Sequence, residues 1–124
     1  MAESLRCEIF PADLDAAAFY VDVLGFRLER DQRGSRLGYI ALRRGDVRLG
    51  AAARPEVPDR EPRRPPAGVE LVLELDDVDA DRARVAAAGR PVAEDMTGRP
   101  WGLRDFRVLD PSGCYWRITD RADG

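Results

Sequence analysis

The side chains that could do chemistry in this 124-residue chain are carboxylates, arginines and aromatic rings, because the sequence contains no histidine. The absence of histidine removes the commonest metal ligand and the commonest general base, and it excludes Ser–His–Asp and Cys–His catalysis. Three glutamates on two predicted strands, Glu8, Glu70 and Glu74, remain as the candidate metal ligands or bases. Two carboxylates without an imidazole suit weak binding of a hard cation and do not resemble a dedicated zinc or iron site.

Charge and composition exclude two classes of partner. The net charge is −3 and the pI is near 5.0, so the chain lacks the basic surplus that binds nucleic-acid phosphates. There is no run of about 18 apolar residues, which predicts no membrane span, and the first residues lack the apolar core of a signal peptide. We therefore expect a cytoplasmic protein in which Cys7 and Cys114, far apart in the sequence, are buried thiols.

Hydrophobic periodicity predicts the same order of elements twice. Each half is predicted to contain a strand, an amphipathic helix and three further strands. Asp77, at the start of the second helix, lies 64 positions after Asp13, and Gly89, at its end, lies 64 positions after Gly25. This repeat predicts an α+β fold of two βαβββ modules. The predicted modules are residues 1–53 and 68–124, joined by a linker rich in proline and arginine at 54–67.

Three groups of residues carry a resemblance to a known family. They are Phe19-Tyr20 with Leu24-Gly25-Phe26, the run Leu75-Asp76-Asp77-Val78-Asp79, and Pro100-Trp101-Gly102 followed by Phe106 and Asp110-Pro111-Ser112-Gly113. Together with the duplication they resemble the vicinal oxygen chelate superfamily of glyoxalases, bleomycin-resistance proteins and extradiol dioxygenases. The bleomycin-resistance branch is the most similar. The resemblance covers nearly the whole chain and implies a single domain, residues 1–124, with curved mixed sheets and ligand clefts in a dimer.

The resemblance implies that each module forms a half-open cup for a ligand or a metal, and strand alternation predicts which side chains face it. Two-residue turns at Arg44-Gly45 and Pro111-Ser112 would place Leu42 opposite Val47 and Phe106 opposite Arg117. A register error of one residue would exchange the two faces. The predicted ligand-binding residues are Glu8, Phe10, Tyr39, Arg48, Glu70, Val72, Trp101, Phe106, Tyr115 and Arg117.

The predicted cup is aromatic, with charged groups at its edges, and two interpretations remain open. In one, the charged side chains are solvated on an open sheet face. In the other, the cup binds a small-molecule natural product, because curved aromatic clefts mark binding sites. Aromatic walls suit planar ring systems, and the carboxylates suit a cationic ligand.

Arg117 stands where the resemblance implies a metal-binding glutamate, and a guanidinium cannot coordinate a cation. We therefore expect no metal, no cofactor and no catalytic residue, and a protein that gives resistance by sequestering a DNA-damaging drug of bleomycin or enediyne type. The alternatives are a divergent metal-dependent glyoxalase or dioxygenase and a non-catalytic sensor. Unpaired strand edges favour a homodimer.

Overall fold

The computed structural model describes residues 3–11, 13–34, 36, 38–53 and 70–121. The linker predicted at 54–67 lies outside these residues. The chain divides into two compact units, Met1–Arg60 and Glu61–Gly124, which are described one at a time. Within the described residues, no helix combines the length and the apolar character needed to cross a membrane.

The first unit is a four-stranded mixed sheet with a short helical segment. Its elements are β1 (Cys7–Ile9), α1 (Ala16–Ala18) continuing into a π-helical turn (Phe19–Val23), β2 (Arg27–Gln32), β3 (Tyr39–Arg44) and β4 (Val47–Ala52). The strand order is β1-β4-β3-β2, with β1 parallel to β4 and the other pairs antiparallel. The helix is shorter than predicted, because the chain from Asp13 to Asp15 forms a turn closed by a hydrogen bond from the Asp15 N–H to the Asp13 carboxylate.

The second unit repeats this arrangement. Its elements are β5 (Leu71–Leu75), α2 (Val78–Ala87), β6 (Glu94–Gly98), β7 (Arg104–Leu109) and β8 (Tyr115–Asp120). The strand order β5-β8-β7-β6 matches that of the first sheet. Asp77 caps α2 by accepting a hydrogen bond from the Ala80 N–H at 3.0 Å. The predicted α+β fold with two mixed sheets is confirmed.

One face of each sheet is apolar and buried. In the first unit, Ile40, Leu42 and Leu49 are at most 2% exposed, and so are Tyr20 and Leu24 from the helical segment. In the second unit the buried sheet residues are joined by Val78 and Val85 of α2, and the set comprises Leu73, Phe106, Val108, Trp116 and Ile118. This burial leaves the opposite face of each sheet for polar and small side chains.

The hairpin between β7 and β8 has a different register from the predicted one. Val108 pairs with Trp116 and Phe106 pairs with Ile118, so the prediction that Phe106 opposes Arg117 was wrong by one residue. The Asp110 carboxylate accepts hydrogen bonds from the Ser112 and Cys114 N–H groups, both at 2.8 Å, and so lengthens the connection. Gly113 completes it with a φ of 88°, which a residue with a side chain rarely adopts.

The hairpin between β3 and β4 was also predicted in the wrong register, but the error does not change the faces. Leu42 pairs with Leu49 rather than Val47, because Gly45 and Asp46 form the turn. The shift amounts to two positions along the partner strand. Since side chains alternate with a period of two, Tyr39 and Arg48 still share one face.

We expect Asp110→Ala to destabilise the second unit by about 2 kcal/mol, because two backbone N–H groups lose their acceptor in a partly buried turn. Urea denaturation at pH 7 measures the change. Asp46→Ala, in the exposed turn between β3 and β4, is the matched control and should change stability much less. Equal losses for the two variants would contradict a special role for Asp110.

Candidate functional site

The open face of the first sheet carries a shallow trough along one row of paired residues. The strand registers pair Glu8 with Gly50, Gly50 with Ala41, and Ala41 with Arg30. The two central positions have the smallest side chains, whereas the two outer positions carry opposite charges. Since neighbouring strands lie about 4.8 Å apart, the backbones of Glu8 and Arg30 lie about 14 Å apart, with only small residues between them.

A β-bulge determines which charge stands at the β2 side of the trough. Leu28 pairs with Leu42 and Arg30 with the next residue, Ala41, so Glu29 is the extra residue of the bulge. In a regular ladder Glu29 would take the place opposite Ala41. The bulge therefore places a guanidinium, rather than a carboxylate, at the end of the row.

Glu8 and Tyr39 are joined by a hydrogen bond over Gly50. The Tyr39 hydroxyl donates to Glu8 Oε1 at 3.0 Å, and Arg6 Nε lies 2.8 Å from the same oxygen. A Cβ atom at Gly50 would collide with the Tyr39 hydroxyl and the Glu8 carboxylate. The bond between these two side chains therefore requires glycine at position 50.

Partial burial raises the pKa of the Tyr39 hydroxyl, and its hydrogen bond to the Glu8 carboxylate raises it further. The hydroxyl therefore stays protonated and remains a hydrogen-bond donor at neutral pH.

These side chains surround a cleft of about 440 Å³. Small-molecule sites in proteins have volumes of roughly 300–1,000 Å³, so the cleft is large enough for a small organic ligand. The lining residues are Arg6, Glu8, Glu29, Arg30, Tyr39, Ala41, Leu42, Arg48 and Leu49.

Two of the lining arginines have no protein counter-ion among the described residues. Arg48 Nε is buried and has no hydrogen-bond partner there. Arg30 is exposed beside Ala41, and no ion pair holds it within that part of the chain. The carboxylates, by contrast, are paired, Glu8 with Arg6 and Glu29 with Arg43 at 3.8 Å.

In the corresponding row of paired residues of the second sheet, long side chains occupy the central positions. The row runs from Val72 to Arg117, Arg107 and Glu94, so two arginines occupy the positions of Gly50 and Ala41. Arg117 Nη2 lies 2.9 Å from Glu70 Oε1, and Arg107 Nη1 donates to the Tyr115 hydroxyl at 2.9 Å. Polar contacts therefore cover the floor of this sheet.

A buried carboxylate holds Arg107 together with a further arginine, Arg99. Asp105 is fully buried and accepts hydrogen bonds from Arg99 at 2.7 Å and Arg107 at 3.2 Å. Burial opposes ionisation of Asp105, but the bonds from Arg99 and Arg107 outweigh it and lower the pKa of the carboxyl. Arg99 also pairs with Glu94 at 2.5 Å, which links the network to β6.

The ten predicted binding residues separate into distinct groups. Glu8, Tyr39 and Arg48 line the first cleft. Glu70, Val72, Tyr115 and Arg117 belong to the open face of the second sheet. Phe10 follows β1 and is 49% exposed, and Trp101 is 58% exposed in the turn between β6 and β7.

The tenth residue, Phe106, was wrongly assigned to the open face. It is completely buried and pairs with Ile118, and the Arg82 guanidinium of α2 lies 5.9 Å from the centre of its ring. Sequence reasoning also missed Gly50 and Arg30. Alternation along β4 would have placed Gly50 on the same face as Arg48, whereas no local signal marks the bulge that brings in Arg30.

The residues of these faces do not fit a metal site. Across the described ranges, no three Asp, Glu or Cys side chains are grouped so that they could coordinate an ion. Glu8 and Glu70 are each engaged by an arginine, and a guanidinium beside a carboxylate repels a cation.

Comparison with known proteins gives the family. A model of the glyoxalase/bleomycin resistance protein/dioxygenase superfamily matches residues 5–118. The chain belongs to this superfamily. The match confirms the resemblance stated from the sequence, and no curated protein sequence matches the chain significantly.

Several solved structures are similar to this member of the superfamily. TioX from Micromonospora sp. ML1 is 26% identical, with a TM-score of 0.75, over 97% of this chain and 100% of its own. A bleomycin-binding protein, solved in complex with bleomycin, is 22% identical, with a TM-score of 0.73, over 98% and 100%. Lactoylglutathione lyase from Agrobacterium tumefaciens is 23% identical, with a TM-score of 0.70, over 96% and 94%. The fold is therefore common to binding proteins and enzymes.

We expect Asp105→Asn to cost about 3 kcal/mol at pH 7, because Arg99 and Arg107 lose their buried counter-ion. The pKa of Asp105 is lowered in the folded state, so its stabilisation is present above the unfolded-state pKa of about 3.9 and is lost as the pH falls through the folded-state pKa. Urea denaturation between pH 7 and pH 3 should show this acid-dependent loss in the wild type and a smaller one in the variant.

The matched control is Asp79→Asn, which removes the exposed partner of Arg104 and should have little effect on stability. An equally large loss in the control would contradict the assignment of Asp105 as the organising charge.

Proposed function

We propose that this protein binds an aromatic small-molecule natural product in the first-sheet cleft and lowers its free concentration without changing it chemically. The compound class is a DNA-damaging drug of bleomycin or enediyne type, and the outcome is antibiotic self-resistance. The observation that carries the proposal is the cleft over Ala41, bordered by the Tyr39 and Glu8 side chains that cover Gly50.

Shape and chemistry support binding over catalysis. The small side chain of Ala41 leaves room for a flat ring system on the floor of the cleft. The Tyr39 ring offers an aromatic surface for such a ligand. Within the described residues, no histidine, grouped metal ligands or activated nucleophile accompanies the cleft. A relative of the same fold was solved with bleomycin bound, which makes this class of ligand the first to test.

We further propose that the protein works as a homodimer in the cytoplasm. Each four-stranded sheet, considered alone, ends in two edge strands, and pairing between chains would cover such edges. A sequestering protein must meet the drug before the drug reaches DNA, and the cytoplasm is the compartment that the composition predicts.

The alternative is a divergent enzyme, which the fold of lactoylglutathione lyase favours. The two proposals differ in what happens to the ligand. Calorimetric titration of EDTA-treated protein with metal-free bleomycin, copper-bleomycin and an anthraquinone-type enediyne, followed by mass spectrometry, separates them. Saturable binding at or below about 1 μM, roughly −8 kcal/mol, with the ligand recovered intact, supports sequestration. Turnover by protein that has not been treated with EDTA and that retains one metal per chain supports the enzyme.

We expect Ala41→Leu to weaken binding at least tenfold, because the larger side chain occupies the floor of the cleft. Calorimetric titration measures the affinity, and circular dichroism checks that the variant is folded. Ala83→Leu, at an exposed position of α2, is the matched control and should bind like the wild type. Unchanged binding by Ala41→Leu would place the ligand elsewhere and refute the cleft as the site.

A further inference from the structure

The charges around the first cleft do not balance locally. Both carboxylates of the lining are engaged, Glu8 by Arg6 at 2.8 Å and Glu29 by Arg43 at 3.8 Å. Arg30 and Arg48 remain, and neither has an ion-pair partner within the described ranges. The cleft therefore presents two positive charges that the surrounding protein, as far as it is described, does not neutralise.

Arg48 is the better placed of the two to contact a ligand. It follows Val47 at the start of β4 and lies two residues before Gly50, so its side chain is on the same face as the floor of the trough. Its Nε atom is buried without a hydrogen-bond acceptor in the described part of the chain. A buried donor without an acceptor is costly, and an acceptor on a ligand would remove that cost.

The Tyr39 hydroxyl makes Glu8 less available to a ligand. Its proton is committed to Glu8, and Arg6 approaches the same carboxylate oxygen. Both donors bind Glu8 Oε1, and Arg6 offsets the charge of the carboxylate, so a cationic ligand would form a full ion pair with Glu8 only by displacement of Arg6. An anionic ligand needs no such displacement at Arg48 or Arg30.

From this juxtaposition we infer that the ligand of the first cleft carries an acidic or strongly hydrogen-bond-accepting group, such as a carboxylate, phenolate or enolate, and that Arg48 binds it, with Arg30 contributing at the opposite side. The inference rests on the proposed function, because it names the chemical class that the same cleft selects. It reverses the expectation of a cationic ligand, which assumed free carboxylates.

A set of probes with one ring system and three charges tests the selectivity. Anthraquinone-2-carboxylate, anthraquinone-2-carboxamide and 2-(aminomethyl)anthraquinone are titrated by calorimetry at pH 7 and low salt. We expect affinity to fall in that order, with at least tenfold between the carboxylate and the ammonium compound. Tighter binding of the ammonium compound, or equal binding of all three, would overturn the inference.

Variants then assign the selectivity to residues. Arg48→Gln should weaken the carboxylate probe about tenfold and leave the carboxamide nearly unchanged, because only the charge-assisted interaction is lost. Arg30→Gln, at an exposed position of β2, is a second variant, which leaves Arg48 and its buried Nε atom in place. It should cause a smaller loss of affinity for the carboxylate probe. Arg84→Gln in α2 removes the same charge at an exposed position outside the cleft and should have no effect.

The outcomes separate this inference from the function on which it rests. If Ala41→Leu loses bleomycin or enediyne binding but the protein does not discriminate among the three probes, the cleft is still the binding site. The charge selectivity is then refuted. No binding of any natural product refutes the proposed function, and if the carboxylate probe still binds through Arg48, the cleft remains an anion-selective site. Retained probe affinity in both Arg48→Gln and Arg30→Gln overturns the inference.

Discussion

The hydrogen bond between Tyr39 and Glu8 passes over a residue that has no side chain, and the shape of the candidate site depends on that close approach. Any Cβ atom at Gly50 would occupy the space that the hydroxyl and the carboxylate share. Because β1 pairs with β4 at this point, the glycine also sets how close the Glu8 side chain comes to the centre of the sheet. With a larger residue there, Tyr39 and Glu8 would separate, and the floor between them would rise into the cleft.

The second sheet shows what the same backbone does with different side chains. The strand order and the row of paired positions are repeated, yet Arg117 and Arg107 replace the glycine and the alanine of the first row. Half-buried charged side chains on a sheet floor are costly when unpaired, and in the second sheet Glu70, Asp105 and Tyr115 supply partners. The duplicated fold thus has one face with an open cleft and one face covered by a polar network, so the same backbone carries two different surfaces.

Much of this architecture follows from patterns that are local in the sequence. Alternation in β5 and the cap at Asp77 predict the second unit well, because burial of one sheet face and satisfaction of a helix end act within a few residues. Local patterns of this kind do not determine on which face of the second sheet Phe106 lies. That face depends on the Asp110 carboxylate, whose capture of two N–H groups lengthens the turn by one residue and exchanges the faces of β7 relative to β8. The bulge at Glu29 is a second feature of this kind, since it depends on how two strands pair rather than on the residues of either one.

These two local irregularities have unequal consequences for the chemistry of the site. The register of β7 and β8 places the Phe106 ring in the core, so Phe106 is no longer among the residues expected to contact a ligand. The bulge in β2 changes the sign of the charge at the end of the trough, because Arg30 rather than Glu29 stands opposite Ala41. Combined with Arg6 and Tyr39, which already engage the predicted Glu8, that change leaves Arg30 and Arg48 as the unpaired charges of the cleft among the described residues. Composition alone, with its net charge of −3, points the other way, so the electrostatics of a site this small are decided by pairing geometry and not by the overall charge of the chain.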